Sequence, residues 1–297
     1  MTATTLRHAT VLGLGLMGAG MATSLLAAGF EVTVYNRSRA KRDALAARGA
    51  RAAATPAEAA AAADVVVAMV ADDDASRAVW LGQEGALAAM KPDAIAIESS
   101  TITVAWARSL AREAAGAGIA FLDAPVTGSR EQAESGALRF MIGGENAAIE
   151  RARPALMAMG SATLPVGAPG NGALMKLINN FVCGVQVGAL AEALAIAERS
   201  GLDPAVAAAV LAEGAPGSPL VKAVSRRMIE RDVTPNFFIS LMAKDLRYAA
   251  RTFAEAGIDA ASADAARARF EEAERAGHGQ EDIATVIEPL RARAAPR

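Results

Sequence analysis

The sequence predicts an α/β chain: a doubly wound parallel sheet at the N-terminus, followed by an all-α domain entered through one long helix. Three observations predict it. A glycine-rich turn at residues 13–18 lies between a short apolar run and a helical stretch. Apolar runs of strand length then alternate with helical stretches as far as about residue 128. From about residue 167 strand signals largely vanish and helical periodicity takes over.

The elements follow in order. "ATVLGL" is a short buried strand, "MGAGMATSLLAAG" a helix with glycine near its end, and "FEVTVYN" a second strand. The turn between them spells G-x-G-x-x-G with Gly13, Gly15 and Gly18. The first glycine permits a tight turn, the second lets the backbone approach a pyrophosphate, and the third lets helix and strand pack closely. The helix N-terminus then offers its N–H groups to the anion. This is a Rossmann-type dinucleotide cradle, with Leu14, Leu16 and Met17 completing the cofactor turn and Met17 and Met21 also suited to packing. No Asp, Glu, Lys or Arg lies between Arg7 and Glu31, so the stretch could pass for a signal peptide or membrane helix. Its glycines suit a strand-to-helix turn better.

The end of the second strand normally selects the dinucleotide. An acid there would hold the ribose hydroxyls of NAD(H). This chain has "YNRSRAKR" over 35–42, with no acid until Asp43. Arg37 is placed to meet a 2′-phosphate, with Asn36, Ser38 and Lys41 assisting, so NADP(H) is preferred over NAD(H). The alternative is an ordinary solvated basic loop. Further strands are expected at 63–70, 93–101 and 119–128. Ligands gather at the carboxyl edges of such strands, here Met69–Val70, Ser99–Thr101 and Pro125–Gly128. "DDD" at 72–74 reads as a solvated loop rather than a metal site.

The segment 171–201 could run as one helix of about 30 residues, close to 45 Å long, with Gly201 as its stop. Further helices are expected at 204–213, 218–231, 239–256 and 260–276. "PVGAPGNG" at 165–172 is the natural joint, giving a nucleotide-binding domain at 1–166 and a helical substrate and dimerisation domain at 167–297. A helix this long and apolar needs neighbours on several sides, so a homodimer or a dimer of dimers is expected.

Composition bounds the function. The chain has 297 residues, 53% hydrophobic and 21% charged, enough for two domains with a sizeable core. A net charge of −2 favours neither nucleic acid nor an anionic membrane as partner. One cysteine, Cys183, allows no internal disulfide and points to a reducing, cytoplasmic compartment. No Cys/His cluster has metal-ligand spacing, so no metal is expected. His8 and His278 lie near the ends, which argues against His-based acid/base chemistry.

"GNGALMKLINN" at 170–180 sets Lys176 and Asn180 one helical turn apart on an otherwise apolar helix. From spacing alone Lys176 would more often be a snorkelling or interface lysine, and Asn180 a satisfied core amide. Four stretches in order decide between these readings. "GLGLMGAGMATSL" (13–25), "DAPVTGSREQAESGAL" (123–138), "GNGALMKLINN" (170–180) and "KDLRYA" (244–249) together resemble the β-hydroxyacid dehydrogenases. That family includes 3-hydroxyisobutyrate dehydrogenases, tartronate semialdehyde reductases and glyoxylate/succinic semialdehyde reductases. The resemblance covers nearly the whole chain. "NRS" after the second strand and Ser129 are similar to the glyoxylate/succinic semialdehyde reductase branch.

The resemblance implies the chemistry. The chain would transfer hydride between a nicotinamide and a small 3-hydroxy acid or aldehyde acid, of 3-hydroxyisobutyrate, succinic semialdehyde or glyoxylate type. Lys176 would be the catalytic acid/base and Asn180 its partner. Burial and a cationic nicotinamide nearby would both favour the neutral amine. Thr127, Gly128 and Ser129 would form the substrate-carboxylate site, with Phe238 as a wall. Thr101 would contact the nicotinamide and Lys244 would lie near the cofactor, although Lys244–Asp245 could instead be a surface charge pair. Gly170 and Gly172 would leave room for substrate at the helix start. Two other readings are an imine reductase on the same scaffold, which generally lacks the lysine, and a non-catalytic NADP(H)-binding sensor.

Overall fold

A computed structural model describes residues 6–292. The outermost five residues of each expected domain, 1–5 and 293–297, lie outside the described residues. The chain divides into two compact units, Met1–Lys176 and Leu177–Arg297. The division falls inside the long helix, a few residues after the glycine- and proline-rich stretch at 165–172.

The first unit opens with β1 (His8–Leu12), α1 (Leu16–Ala27), β2 (Glu31–Tyr35), α2 (Arg39–Ala46), β3 (Arg51–Ala52), α3 (Pro56–Ala60) and β4 (Val65–Ala68). It continues through α4 (Asp73–Leu81), β5 (Ile95–Glu98), α5 (Val104–Gly116), β6 (Ala120–Asp123), β7 (Val126–Thr127), α6 (Arg130–Glu134), β8 (Leu138–Gly144), α7 (Asn146–Met159) and β9 (Gly160–Gly167). The sheet order is β3-β2-β1-β4-β5-β6-β8-β7, with β9 paired to β8. Strands β3 to β6 run parallel, and their order reverses around β1, where β2 lies on one side and β4 on the other. That reversal opens a crevice at the strand carboxyl ends. Apolar layers cover both sheet faces, as a parallel sheet requires. Val11, Val34, Val67 and Ile97 face one layer, and Leu12, Val66, Ala96 and Trp106 contribute to the other.

Three expectations are corrected here. The run 119–128 is two strands, because Pro125 has no N–H to continue the ladder. β6 ends at Asp123, and Val126–Thr127 pairs instead with β8 in antiparallel register. The sheet also gains β8, antiparallel to β6, and β9 beyond it. "DDD" is a helix start rather than a solvated loop: Asp72 accepts from the Ala75 N–H at 2.8 Å as the N-cap of α4. Asp73 accepts from both the N–H and the hydroxyl of Thr103.

Helix α8 (Asn171–Arg199) leads into the second unit. It stops where Gly201 takes φ +77° and the Leu202 N–H reaches back to the Ala197 carbonyl, a C-terminal closure that glycine makes possible. By length and composition α8 could cross a membrane, and half of its most apolar window is buried in the protein. The second unit is helical: α9 (Pro204–Glu213), α10 (Pro219–Glu230), α11 (Ile239–Glu255), α12 (Ala261–Ala273) and α13 (Glu288–Ala292). Its core joins Leu190 and Leu194 of α8 to Met228, Met242, Leu246 and Phe270. The expected helix at 260–276 ends early, because Gly277 at φ +99° turns the chain through a π-helical stretch at Glu274–His278.

Candidate active site

Each glycine of the first turn has a separate steric reason. Gly13 sits at φ +98°, and a Cβ there would lie 2.3 Å from the Met69 carbonyl oxygen. A Cβ on Gly18 would lie 2.0 Å from the Gly13 carbonyl oxygen. At Gly15 a Cβ would meet nothing within 4 Å. The turn is therefore packed shut on two sides and open at the helix start. The amides of Leu16, Met17 and Gly18 precede the first intrahelical bond, from the Ala19 N–H to the Gly15 carbonyl. An open glycine beside helix-start donors fits the approach of a dinucleotide pyrophosphate. Met17 also packs on the apolar layer, where Met21 is fully buried.

The end of β2 braces this turn. The Tyr35 carbonyl accepts from the Gly13 N–H at 2.8 Å, and Asn36 Oδ1 accepts from the Leu14 N–H at 3.1 Å. Asn36 thus spends its oxygen on the turn itself. Arg37, Ser38 and Lys41 are exposed beside it, with Ser38 at the N-cap position of α2.

The next two strand ends are tied by a buried carboxylate. Glu98, the last residue of β5, is fully buried. It accepts from the Ser100 N–H at 2.8 Å, from Trp80 Nε1 at 2.9 Å and from the Ser76 hydroxyl. Burial pushes its carboxyl upward, while the hydrogen bonds from Ser100, Ser76 and Trp80 pull the other way. Ser100 Oγ in turn accepts from the Val70 N–H at 2.8 Å. The Met69 N–H donates to the Leu12 carbonyl. So Met69, Val70 and the Ser99–Thr101 segment are held at neighbouring strand ends, with Thr101 partly exposed.

At the end of β6, Asp123 is fully buried, and each of its oxygens accepts from the start of α8. Oδ1 accepts from the Gly170 N–H at 2.9 Å and Oδ2 from the Ala173 N–H at 2.8 Å. Burial outweighs these bonds and raises the carboxyl to about 6. This corrects the expectation for Gly170 and Gly172. A Cβ on Gly172 would lie 2.3 Å from the Asp123 carbonyl oxygen, and one on Gly170 would strike the Arg108 side chain at 2.7 Å. These glycines make room for the protein's own strand end and for α5, not for substrate.

Lys176 lies one turn further along α8, and its Nζ donates to the Val126 carbonyl at 2.7 Å. Thr127 continues from Val126 as β7, partly exposed. Gly128 takes φ +122° with the Gln132 and Leu138 side chains against it. Ser129 caps α6: its N–H and its hydroxyl both meet Gln132 Oε1, at 2.8 and 2.6 Å. The donors expected to hold a substrate carboxylate at Ser129 are therefore already engaged within their own capping box.

In the second unit, Asn180 is buried, and its Nδ2 donates to Asp245 Oδ2 at 2.6 Å. Asp245 Oδ1 forms an ion pair with Lys244 Nζ at 3.0 Å, and that ammonium lies 5.1 Å from the Tyr248 ring centroid. Lys244 and Asp245 are thus a buried pair, not a surface one. Phe238 precedes α11 as its N-cap residue and bridges Asp282 in antiparallel register. Asp245 was absent from the expected site residues, although "KDLRYA" contains it. Its signal would have been the need of a buried Asn180 for an acceptor.

Comparison with known proteins accounts for both units. Residues 8–167 match the NAD binding domain of 6-phosphogluconate dehydrogenase, and residues 170–290 match the NAD-binding domain of NADP-dependent 3-hydroxyisobutyrate dehydrogenase. The chain is 34% identical to glyoxylate/succinic semialdehyde reductase 2 of Arabidopsis thaliana over 95% of its own length and 78% of the relative's. It is 35% identical to L-threonate dehydrogenase of Cupriavidus necator over 95% of each. A crystal structure of 3-hydroxyisobutyrate dehydrogenase from Salmonella typhimurium superposes with a TM-score of 0.88 at 32% identity, covering 95% of this chain and 99% of that one. With both halves matched in order, the chain belongs to the β-hydroxyacid dehydrogenase family, oxidoreductases that act on small hydroxy acids with a nicotinamide cofactor.

Proposed function

We propose that this protein is an NADP(H)-preferring semialdehyde reductase or β-hydroxyacid dehydrogenase with Lys176 as its acid/base. Its substrate is a small 3-hydroxy or aldehyde acid of succinic semialdehyde, glyoxylate or 3-hydroxyisobutyrate type. The observation that carries the reading is the setting of Lys176. A lysine on an apolar helix has its Nζ drawn onto the Val126 carbonyl, next to the Thr127–Ser129 segment. A snorkelling lysine would instead carry its ammonium outward to water.

Gly13, Leu14, Gly15, Leu16, Met17 and Gly18 hold the cofactor pyrophosphate. Asn36, Arg37 and Ser38 meet its ribose phosphate, while Met69, Val70, Thr101 and Lys244 lie along the remainder. When bound, the nicotinamide supplies or accepts the hydride. Lys176 gives its proton to the substrate oxygen as that oxygen becomes an alcohol, and takes it back in the reverse direction. Asn180 holds the lysine or the substrate oxygen in line. Thr127, Gly128 and Ser129 bind the substrate carboxylate, with Gln132 giving way at Ser129, and Phe238 walls the site. Residues 1–166 form the nucleotide-binding domain, which also carries Thr127–Ser129, and 167–297 form the helical substrate and dimerisation domain, in the cytoplasm.

The same reading includes a homodimer. Met175, Val182 and Ile196 of α8, seven and then fourteen residues apart and so on one helix face, are 36%, 49% and 62% exposed, an apolar seam of the kind helices bury against a partner. Light scattering of Val182→Glu should then show a lighter particle than the wild type. The catalytic reading is tested with Lys176→Ala. Turnover should fall by about 10²- to 10⁴-fold with NADPH binding retained. Turnover retained in that variant rejects the role.

A further inference from the structure

We propose that Asp123 is the positioning residue for Lys176: it locks the first turn of α8 to the end of β6 and so sets where the lysine amine lies. The inference rests on the catalytic reading of Lys176 and adds a residue to it. Its basis is a short closed circuit of contacts. The carboxylate of Asp123 takes the Gly170 N–H on one oxygen and the Ala173 N–H on the other. Three residues after Asp123, the Val126 carbonyl takes the Lys176 amine. Three residues after Ala173 comes Lys176 itself. The segment 123–126 and the segment 170–176 are therefore pinned at both ends, with the lysine as one of the pins.

The surroundings show that this contact is built in. A Cβ on Gly143 of β8 would lie 2.3 Å from Asp123 Oδ1, and one on Gly172 would lie 2.9 Å from Oδ2. Two glycines from separate elements thus clear the space that the carboxylate fills. First-turn amides have no intrahelical acceptor, and a carboxylate is the acceptor that complements the positive helix start. Asparagine is nearly the same size but offers one acceptor oxygen. Its NH₂ must face either the Gly170 or the Ala173 N–H, donor against donor. The circuit then opens at one point while the fold keeps its volume.

The test is Asp123→Asn, measured beside Lys176→Ala on the full chain. Expected is a kcat about ten- to a hundredfold lower, the upper figure being the loss that a misplacement of about 1 Å in a catalytic group can produce. NADPH affinity should stay within about twofold, since the glycine turn is untouched. Hydrogen exchange of the 168–177 segment should be faster in the variant. An unchanged kcat, or unchanged exchange in that segment, overturns the assignment. If Lys176→Ala itself retains full turnover, the catalytic reading has failed, and Asp123 has no lysine to position. Should the asparagine variant not fold, Asp123→Ala is assayed in added formate, whose carboxylate fits the vacated space. Recovery of kcat with formate supports the assignment, and recovery of folding without kcat, or no recovery of either, overturns it.

Discussion

The glycine turn separates packing from ligand contact at two neighbouring positions, and alanine can be placed at each. At Gly15 a Cβ meets no protein atom within 4 Å, and the backbone is at φ −72°, which alanine adopts freely. Glycine is a better N-cap than alanine, and losing it costs about 0.5–1 kcal/mol. Replacing glycine stiffens the unfolded chain and returns about 0.4–1 kcal/mol. The cofactor-free stability of Gly15→Ala should therefore stay within about 0.5 kcal/mol of wild type. Its methyl group instead occupies the side from which a phosphate approaches. Losing one charge-assisted hydrogen bond of about 1.5–3 kcal/mol weakens binding by about 10- to 150-fold. With NADPH at a hundred times the wild-type Kd, ligand stabilisation is about 2.7 kcal/mol for wild type. A hundredfold weaker variant would keep about 0.4 kcal/mol. Thermal unfolding should thus show an NADPH-induced rise of about 5–10 °C in wild type and about 1–2 °C in Gly15→Ala. Gly18→Ala is the control. Its Cβ would lie 2.0 Å from the Gly13 carbonyl oxygen, so the cofactor-free protein itself should lose about 1–3 kcal/mol. A Gly15→Ala protein that melts early without cofactor, or that keeps the full NADPH-induced rise, would refute this division of labour.

Arg37→Ala should weaken NADPH about 10- to 100-fold, the worth of one charge-assisted contact to a phosphate, and NADH by no more than about fivefold, the worth of an exposed charge of at most about 1 kcal/mol. Equal losses in parallel titrations would remove Arg37 from cofactor selection. Asp123 also predicts a pH dependence of stability. Its carboxyl sits at about 6 in the folded protein against 3.8 for the ordinary group, so the folded state holds the proton more tightly. The ionised form costs about 3 kcal/mol well above pH 6, and this cost is relieved as pH falls from about 6 towards 3.8. The stability difference between Asp123→Asn and wild type should therefore favour the variant by about 2 kcal/mol more at pH 8 than at pH 4.5, read from urea unfolding. A difference that does not change with pH would show that Asp123 titrates at its ordinary value.

Much of the nucleotide cradle was legible in the sequence because each glycine answers to a local steric demand. Gly13 and Gly18 close on backbone oxygens, and Gly15 faces open space, as their order in the motif requires. The helices after residue 200 were legible for a similar reason. Asp203 and Ser218 cap α9 and α10 from within the chain, each followed by proline at the first helical position. What stayed hidden depends on distant partners. β9 reads "GSATLPVG", with glycine at both ends and a proline inside, and it becomes a strand only because β8 offers it a parallel edge. Glu98, Asp123 and Asp245 look like ordinary surface acids in sequence. Each is buried, and each collects donors that its sequence neighbourhood does not announce, up to 65 positions away. The spacing showed Lys176 and Asn180 on one stripe, but the Val126 carbonyl and Asp245 that hold them come from separate parts of the chain. The expected role for Gly170 and Gly172 failed for the same reason, since a glycine's neighbour in space cannot be read from its neighbours in sequence.

In the proposed reaction Lys176 moves the proton in an NADPH-linked reduction of a small aldehyde acid. The most direct measurement is NADPH oxidation by wild type and by Lys176→Ala, followed with succinic semialdehyde, glyoxylate, tartronate semialdehyde and methylmalonate semialdehyde. NADPH binding to both proteins is titrated alongside. The wild type should turn over at least one of these substrates. The variant should lose about 10²- to 10⁴-fold of that turnover at unchanged NADPH affinity. Wild-type turnover that survives the loss of Lys176, or no turnover of any of the four despite tight NADPH binding, would contradict this role for the lysine.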